Sequence, residues 1–92
     1  MKLTWDESKR LATLEQRGLD FARAGDVFDG AVFTQTDERE DYGEVRNISV
    51  GRLESRMVVV VWTPRHGARH IISMRKANDR EQKRFEAALE QG

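Results

Sequence analysis

Four consecutive valines, Val58–Val61, constrain the fold of this chain more than any other feature. β-Branched side chains pack well on a pleated surface and lose freedom in a helix, so the run predicts a β-strand. Trp62 and Thr63 continue this strand, because aromatic and β-branched residues share the same preference. Pro64 removes a backbone donor and Gly67 relaxes the backbone, so we expect the strand to end in a turn.

A second apolar segment, Ile71–Ile72, follows this turn after only a few residues. The stretch Arg56–Lys76 is therefore predicted to form a β-hairpin with a short loop. The second strand carries basic side chains near both ends, namely Arg69, His70, Arg75 and Lys76. We expect the rest of the chain to cover one face of this hairpin and to leave the other face available.

Length and composition limit the class of protein. The 92 residues suffice for one domain with a single core, so we expect one domain spanning residues 1–92. The chain has no cysteine, which excludes disulfides and thiolate metal sites. No apolar stretch approaches the roughly 20 residues that span a bilayer, and the first residues lack the apolar region of a signal peptide. We therefore expect a cytoplasmic protein that does not bind membranes.

Charge is distributed unevenly along the chain, although its formal sum is zero. Residues 36–44 contain five carboxylates and one arginine, whereas residues 65–76 contain four fixed cations, two histidines and no acid. A local basic patch of this kind binds phosphate groups or pairs with an acidic segment. The sequence leaves both interpretations open.

The first helix is predicted from its capping residues. Asp6 is a good N-cap for a helix that ends near Arg17, and Gly18 stands where a left-handed terminal residue belongs. Thr4, with Glu7 three residues later, forms a competing capping box. The narrow apolar stripe of this helix consists of Leu11 and Leu14.

Two further helices are predicted. Asp20 is expected to cap the second, which ends at Asp29–Gly30, and Asn78 with Glu81 forms a capping-box arrangement for the last. The apolar positions of the second helix are Phe21, Ala24, Val27 and Phe28. Those of the last helix are Phe85, Ala88 and Leu89. Both sets recur near the helical period, so each is expected to face the core.

Two more strands are predicted before the hairpin, Ala31–Thr36 and Glu44–Gly51, with a turn over Gly51–Ser55. Short connections between consecutive strands favour an antiparallel meander. The sequence thus predicts an α+β fold of two layers. A four-stranded antiparallel sheet is covered by two N-terminal helices and one C-terminal helix, and Met1–Trp5 is an extended lead.

Four short motifs occur in order along residues 4–85. They are Trp5-Asp6-x-x-Lys9, Gly18-x-x-Phe21-x-x-Ala24-x-x-x-Phe28, Gly43-Glu44-x-Arg46 followed by Gly51, and Arg69-x-Ile71-Ile72-Ser73-x-Arg75-x-Ala77 before Glu81. With these motifs the chain resembles the BrnT family of toxins from bacterial type II toxin–antitoxin pairs, part of the RelE-like ribonuclease superfamily. One motif departs: the family's Asn-x-x-Lys-His-Gly at the end of its first helix corresponds here to Thr13, Gln16, Arg17 and Gly18, and Arg17 retains a cation.

The resemblance implies a RelE-like fold and a metal-independent endoribonuclease that uses no small-molecule cofactor. It also implies neutralisation by a BrnA-like antitoxin, and a 2:2 complex in which the antitoxin covers the basic face. The expected chemistry is attack of a ribose 2′-OH on the neighbouring phosphate. Because negative charge builds on the phosphoryl oxygens, such a site needs preorganised cations, and arginine binds phosphate bidentately.

The candidate catalytic residues are Glu44, Arg46, Arg69 and Arg75, and the candidate substrate-binding residues are Lys9, Arg17, Arg65, His70 and Ser73. Positions 69, 71, 73 and 75 are predicted to share one strand face by the two-residue period, with Ile72 and Met74 directed to the helices. The proton acceptor stays open between Glu44, His66 and His70.

Structural alternatives accompany these assignments. Glu44 and Arg46 are equally well explained as an ion pair, and Arg75 as the partner of Asp6 or Glu81. The four-residue spacing of the two histidines suits a metal only on a helix, whereas Pro64 and Gly67 indicate a loop, so no metal site is predicted. Trp5 and Trp62 are assigned to the core rather than to base stacking. A non-catalytic module that binds RNA or an acidic protein through the same face is the alternative function.

Overall fold

The valine-rich segment Arg56–Arg65 is the central strand of a five-stranded sheet in the computed structural model, which describes residues 2–91. The elements in chain order are β1 Lys2–Trp5, α1 Glu7–Arg17, a 3-10 turn Phe21–Arg23, α2 Ala24–Asp29, β2 Val32–Thr36, β3 Asn47–Leu53, β4 Arg56–Arg65, β5 Ala68–Lys76 and α3 Asp79–Gln91. The strands lie side by side in the order β1-β5-β4-β3-β2. The predicted α+β class is confirmed.

The predicted count of four antiparallel strands is wrong, because the extended lead is itself a strand. β1 pairs in parallel with β5, from Lys2 opposite Ala68 to Trp5 opposite Ile71. The other three pairings are antiparallel, as the short connections predict. A parallel pair between strands so far apart in the sequence has no signal in the local pattern, since neither periodicity nor a turn marks it.

The predicted two-layer arrangement is also wrong, because helices lie on both faces of the sheet. Alternate residues of β4 belong to two separate apolar clusters. Val58, Val60 and Trp62 pack with residues of the 3-10 turn and α2, whereas Met57 and Val59 pack with Phe85 and Leu89 of α3. We call these the α2 face and the α3 face. β4 is a continuous apolar run because both of its sides are buried.

The predicted apolar positions of the second helix are confirmed as core. Phe21, Ala24 and Val27 are fully buried, and Phe28 packs against them with its ring edge-on to Trp62. Asp20 caps this segment as predicted, accepting a hydrogen bond from the Ala22 backbone N–H, although the first turn is a 3-10 helix. Both tryptophans take part in this core rather than in an exposed stacking surface. The Trp62 indole N–H donates to the Ser49 hydroxyl at 2.8 Å.

α1 covers neither face, contrary to prediction. None of its residues is buried, and the expected apolar stripe is open, with Leu11 52% and Leu14 39% exposed. The helix continues from β1 beside the second half of β5, where the Arg17 guanidinium donates to the Met74 carbonyl at 2.9 Å. Its predicted ends are confirmed: the Asp6 carboxylate accepts from the Ser8 and Lys9 backbone N–H groups, so Thr4 with Glu7 is not the cap. Gly18 has φ 69° at its end.

β3 starts at Asn47 instead of the predicted Glu44 and runs on to Leu53. The start is later because the partner strand ends at Thr36, opposite Asn47, so the preceding residues have no strand to pair with. Gly51 is consequently inside β3 and not in a turn. The two-residue turn that follows is Glu54–Ser55, with Glu54 at φ 59°.

The predicted cap of α3 is confirmed on both sides. The Asn78 side chain accepts from the Glu81 backbone N–H at 2.8 Å, and the Glu81 carboxylate accepts from the Asn78 backbone N–H at 2.9 Å. Such a reciprocal arrangement satisfies two orphan donors at a helix start. It fixes the direction in which α3 leaves β5, and thereby sets the position of Glu81.

Candidate functional site

A β-bulge in β5 decides which side chains meet. Val61 lies opposite Ser73 and Trp62 lies opposite Ile71, so Ile72 is an extra residue without a partner on β4. An extra residue reverses the alternation beyond it. The prediction that positions 69, 71, 73 and 75 share one face is therefore wrong. Met74 reaches the core of the α2 face as predicted, but its companion there is Ile71 and not Ile72.

Arg69 lies on the α2 face, apart from the other candidate cations. Its guanidinium carbon is 4.1 Å from the centre of the Phe28 ring and 5.2 Å from that of Trp62. Attraction to the faces of aromatic rings stabilises a partly buried cation. The expected convergence of Arg46, Arg69 and Arg75 on one hollow is thus wrong for Arg69.

Four other candidates come together on the α3 face at the end of β4, and we call them the charged corner: Glu44, Arg46, Arg65 and His70. The Glu44 carboxylate accepts from the Arg65 guanidinium at 3.0 Å and lies 3.8 Å from Arg46 Nε. His70 stands opposite Thr63 on the neighbouring strand. The predicted pairing of Glu44 with Arg46 is present, but Arg65 is the closer partner.

The loop of residues 37–46 holds Arg46 in place. Its backbone carbonyl accepts from the Asp37 backbone N–H at 2.8 Å, which closes the loop. Its guanidinium lies 4.0 Å over the ring of Tyr42, whose hydroxyl donates to the Asp37 carboxylate at 3.1 Å. Arg46 Nε is buried without a hydrogen-bond partner among the described residues. The sequence interpretation missed Tyr42, and the only available signal was an aromatic residue inside an acidic segment.

His70 is a half-buried member of the charged corner. Its Nδ1 shares a 2.8 Å hydrogen bond with the Thr4 hydroxyl of β1. Burial lowers the pKa of His70 below its usual 6.5, and the nearby Arg65 and Lys9 lower it further, while Glu44 and Asp6 act in the opposite direction. The neutral imidazole is therefore favoured at neutral pH, and it can accept a proton.

Arg75 lies on the α3 face and is held by Glu81, one of the two partners predicted for it. Two guanidinium nitrogens donate to the two carboxylate oxygens at 2.7 and 2.8 Å. The bidentate bond to Arg75 is the main cause that lowers the pKa of Glu81 to about 2. Arg75 nevertheless remains 43% exposed, so one side of its guanidinium is open to a ligand.

This pair predicts an acid-sensitive stability. Because the pKa of Glu81 is about 2 in the folded protein against an ordinary 4.5, its contribution is complete above pH 4.5 and is lost as the pH falls toward 2. We expect the free energy of unfolding to fall more steeply over this window in the wild type than in Glu81→Gln, as measured by urea denaturation. Glu86→Gln, an exposed carboxylate of the same helix, is the control and should keep the wild-type slope.

A hollow of 330 Å³ opens between α3 and the sheet. Its floor is apolar and includes Phe33, Ile48, Val50, Val59, Val61 and Phe85. Three arginines, Arg39, Arg75 and Arg84, stand at its rim together with Gln35 and Glu81. Sequence reasoning missed Arg39, Arg84 and the two phenylalanines, because their positions follow from tertiary packing and carry no motif.

The hollow and the charged corner are neighbours along β5. Ser73 is opposite Val61, a floor residue, and it stands between Arg75 and His70 on the same face. The predicted binding residue Lys9 lies near enough to His70 to influence its charge. Arg17 is at the last turn of α1, and its guanidinium donates to the Met74 backbone carbonyl.

Neither a metal-binding cluster nor a membrane-spanning helix is found among residues 2–91. Within that range, no three histidine or carboxylate side chains are grouped so that they could hold a metal ion. No helix in that range is both long and apolar enough to cross a membrane.

The bulk of the chain matches a known protein family. The model of the ribonuclease toxin BrnT, of the type II toxin–antitoxin system, matches residues 5–81. No curated protein matches the sequence. The match begins in β1 and ends at Glu81, so it takes in the charged corner and Arg75. A toxin of this type is neutralised by a protein antitoxin. The chain therefore belongs to the BrnT family of ribonuclease toxins of type II toxin–antitoxin systems.

Proposed function

We propose that this protein is an endoribonuclease that cleaves RNA without a metal ion, through attack of a ribose 2′-OH on the adjacent phosphate. The observation that carries the proposal is the charged corner. The guanidinium of Arg46, whose side chain is 31% exposed, lies beside that of Arg65, 44% exposed, and near the neutral His70. Two partly open guanidinium groups on one carboxylate can donate together to the oxygens of a phosphate.

In the proposed reaction the O2′–P bond forms and the P–O5′ bond breaks. A proton leaves the 2′-OH, and the departing 5′-oxygen takes one from water. Negative charge accumulates on the non-bridging oxygens between these events, and Arg46 and Arg65 stabilise it. Preorganised donors are effective here because they need no reorganisation at the moment of reaction. Glu44 keeps the two guanidinium groups together on one carboxylate.

His70 is the proposed proton acceptor. When its Nδ1–H donates to the Thr4 hydroxyl, Nε2 has a free lone pair. Glu44 is less suited, since Arg65 occupies one of its oxygens. Lys9, Ser73 and Arg75 are proposed to bind neighbouring phosphates along the α3 face. For Arg69 and Arg17 we propose structural roles, because the first lies over aromatic rings on the opposite face and the second bonds to the Met74 carbonyl.

The chemistry of the cleaved ends tests this function. A purified sample, treated with EDTA, should cut a single-stranded RNA and leave 2′,3′-cyclic phosphate and 5′-hydroxyl ends. Replacing the ribose at the cut position by 2′-deoxyribose should abolish cleavage there. RNA that remains intact but binds in a salt-dependent manner would instead support the alternative of a non-catalytic RNA-binding module.

The pH dependence of cleavage should reflect the protonation of His70. Its lowered pKa places the acid limb of the rate profile below pH 6.5, since the base must be unprotonated to act. We expect the rate to rise through this limb to a plateau at neutral pH, and the limb to disappear in His70→Gln. His66→Asn is the matched control, because His66 has φ 52° in the β4–β5 turn and asparagine tolerates that conformation. An unchanged limb in His70→Gln would assign the base elsewhere.

The antitoxin partner is proposed to be BrnA-like, to form a 2:2 complex and to cover the α3 face. The positive charge of the α3 face supports this location, because an antitoxin that covers the exposed cations there prevents phosphate from binding. Saturating antitoxin should protect RNA completely, and light scattering on the purified complex should give a mass of two chains of each kind. Simultaneous binding of RNA and antitoxin would contradict the proposed location.

A further inference from the structure

The 330 Å³ hollow has the size of a ligand site and is not needed for the phosphate chemistry. Pockets that bury small ligands begin near 300 Å³, so this hollow accommodates one nucleotide and not a longer segment. It is open on the face that also carries the charged corner, with Ser73 and Arg75 between the two. An RNA strand that crosses the corner therefore passes its entrance.

The floor of the hollow is suited to stacking. The rings of Phe33 and Phe85 lie 5.3 Å apart at an angle of 41°, and Phe33 is 39% exposed although it belongs to the edge strand β2. An exposed aromatic ring beside a cationic rim is the usual platform for an unpaired base, because every base has a π-face. Bases in a duplex are stacked on their neighbours and cannot enter such a hollow.

The rim can distinguish bases by whether its polar groups are hydrogen-bond donors or acceptors. Arg39 and Arg84 supply only donors, and Gln35 supplies an amide. Arg39 is fixed by a bidentate bond to Asp37, with both distances 2.9 Å, whereas the Arg84 guanidinium lies 5.2 Å from the centre of the Phe85 ring. Glu81, the carboxylate of the rim, already accepts from Arg75 and from the Asn78 backbone. The rim is thus rich in donors and poor in free acceptors.

We propose that this hollow is a nucleobase subsite that takes an unpaired guanine of the RNA substrate. Guanine presents two adjacent acceptors, O6 and N7, which match the fork of an arginine. Cytosine presents an amino donor in the corresponding place and meets no free carboxylate. The proposal rests on the proposed ribonuclease function for the identity of the ligand. It adds that cuts occur at a constant distance from a guanine.

Binding of free nucleotides tests the subsite independently of cleavage. In isothermal titration calorimetry, 3′-GMP should bind at least several-fold more tightly than 3′-CMP or 3′-UMP, with 3′-AMP in between. Phe33→Ala should weaken 3′-GMP binding about 30-fold, the middle of the range for loss of one base–aromatic stack. Val32→Ala is the control: Val32 is 37% exposed, adjacent on the same strand, and does not line the hollow.

The positions at which RNA is cleaved provide a second test of the subsite. On a single-stranded oligonucleotide with one guanine, the cut should fall at one position, and 7-deazaguanine, which lacks the N7 acceptor, should weaken that preference. Arg84→Gln should spread the cuts over several positions while the ends stay cyclic. Equal binding of all four nucleotides, or an equal loss in Phe33→Ala and Val32→Ala, would overturn the subsite. Selective 3′-GMP binding by a protein that cuts no RNA would retain the subsite and reject the proposed ribonuclease reaction.

Discussion

Replacing Arg46 by alanine is expected to slow RNA cleavage about 100- to 1,000-fold, the usual loss when one preorganised donor to a developing oxyanion is removed. Arg46 is proposed to supply this donor through the terminal nitrogens of its guanidinium, because its side chain is 31% exposed. The loss should appear in kcat/KM under single-turnover conditions. Arg46→Lys keeps the charge but not the planar fork, so its activity should lie between that of the wild type and that of the alanine variant.

Arg56→Ala is the matched control for this experiment. Arg56 is an exposed arginine at the start of the central strand β4, and Arg65 is at the end of that strand, so Arg56 lies far from the charged corner. Its removal should change the rate less than threefold, and Arg65→Ala should resemble Arg46→Ala. Circular dichroism should show all three variants folded. If Arg46→Ala cleaves at the rate of Arg56→Ala, the charged corner is not the site of phosphate chemistry.

Gly51→Ala is expected to destabilise the fold by about 1–3 kcal/mol, the usual cost of overpacking a core. A Cβ at this position would lie 2.8 Å from Val27 Cγ1 and 3.2 Å from the Ala31 backbone oxygen. The backbone oxygen cannot rotate away, so the segment of α2 and its following turn must shift off the sheet. Because small domains have only about 5–15 kcal/mol of stability, this is a large fraction of the total.

Urea denaturation measures this loss, with Gly25→Ala as control. Gly25 lies inside α2, and a Cβ there would meet only Leu3 Cδ1 at 3.8 Å. Alanine at that helical position should gain about 0.5–1 kcal/mol. Adding Val27→Ala to Gly51→Ala should recover part of the loss, because the closest contact is with that valine. Similar midpoints for the two single variants would show that the approach of α2 to β3 tolerates a methyl group.

The elements with local signals were predictable from the sequence. The valine run, the Asp6 and Asn78 caps and the left-handed Gly18 each express a preference of the residue itself, so their positions in the structure agree with prediction. The features that sequence patterns do not encode are those made by distant pairings. β1 pairs with β5, which is distant in the sequence. α1 does not pack on a face of the sheet as expected, because it follows directly from the edge strand β1.

The candidate site was partly predictable for the same reason. Glu44, Arg46, Arg65 and His70 could be proposed because short motifs and a basic cluster mark them. Arg69 could not be placed, since one extra residue in β5 reverses the side on which it lies. The hollow beside α3 could not be predicted from the sequence, because Phe33 and Phe85 belong to distant elements that come into contact only in the folded protein.

The pairing of β1 with β5 has a consequence for synthesis of the toxin. The first strand of the chain is incomplete until the last strand has emerged from the ribosome, and contacts between such distant segments form late because a long loop must close first. The Thr4–His70 hydrogen bond belongs to this final step. A nascent chain that ends before Ala68 therefore has no partner for β1, and the Thr4–His70 hydrogen bond forms only after this part of β5 has been synthesised.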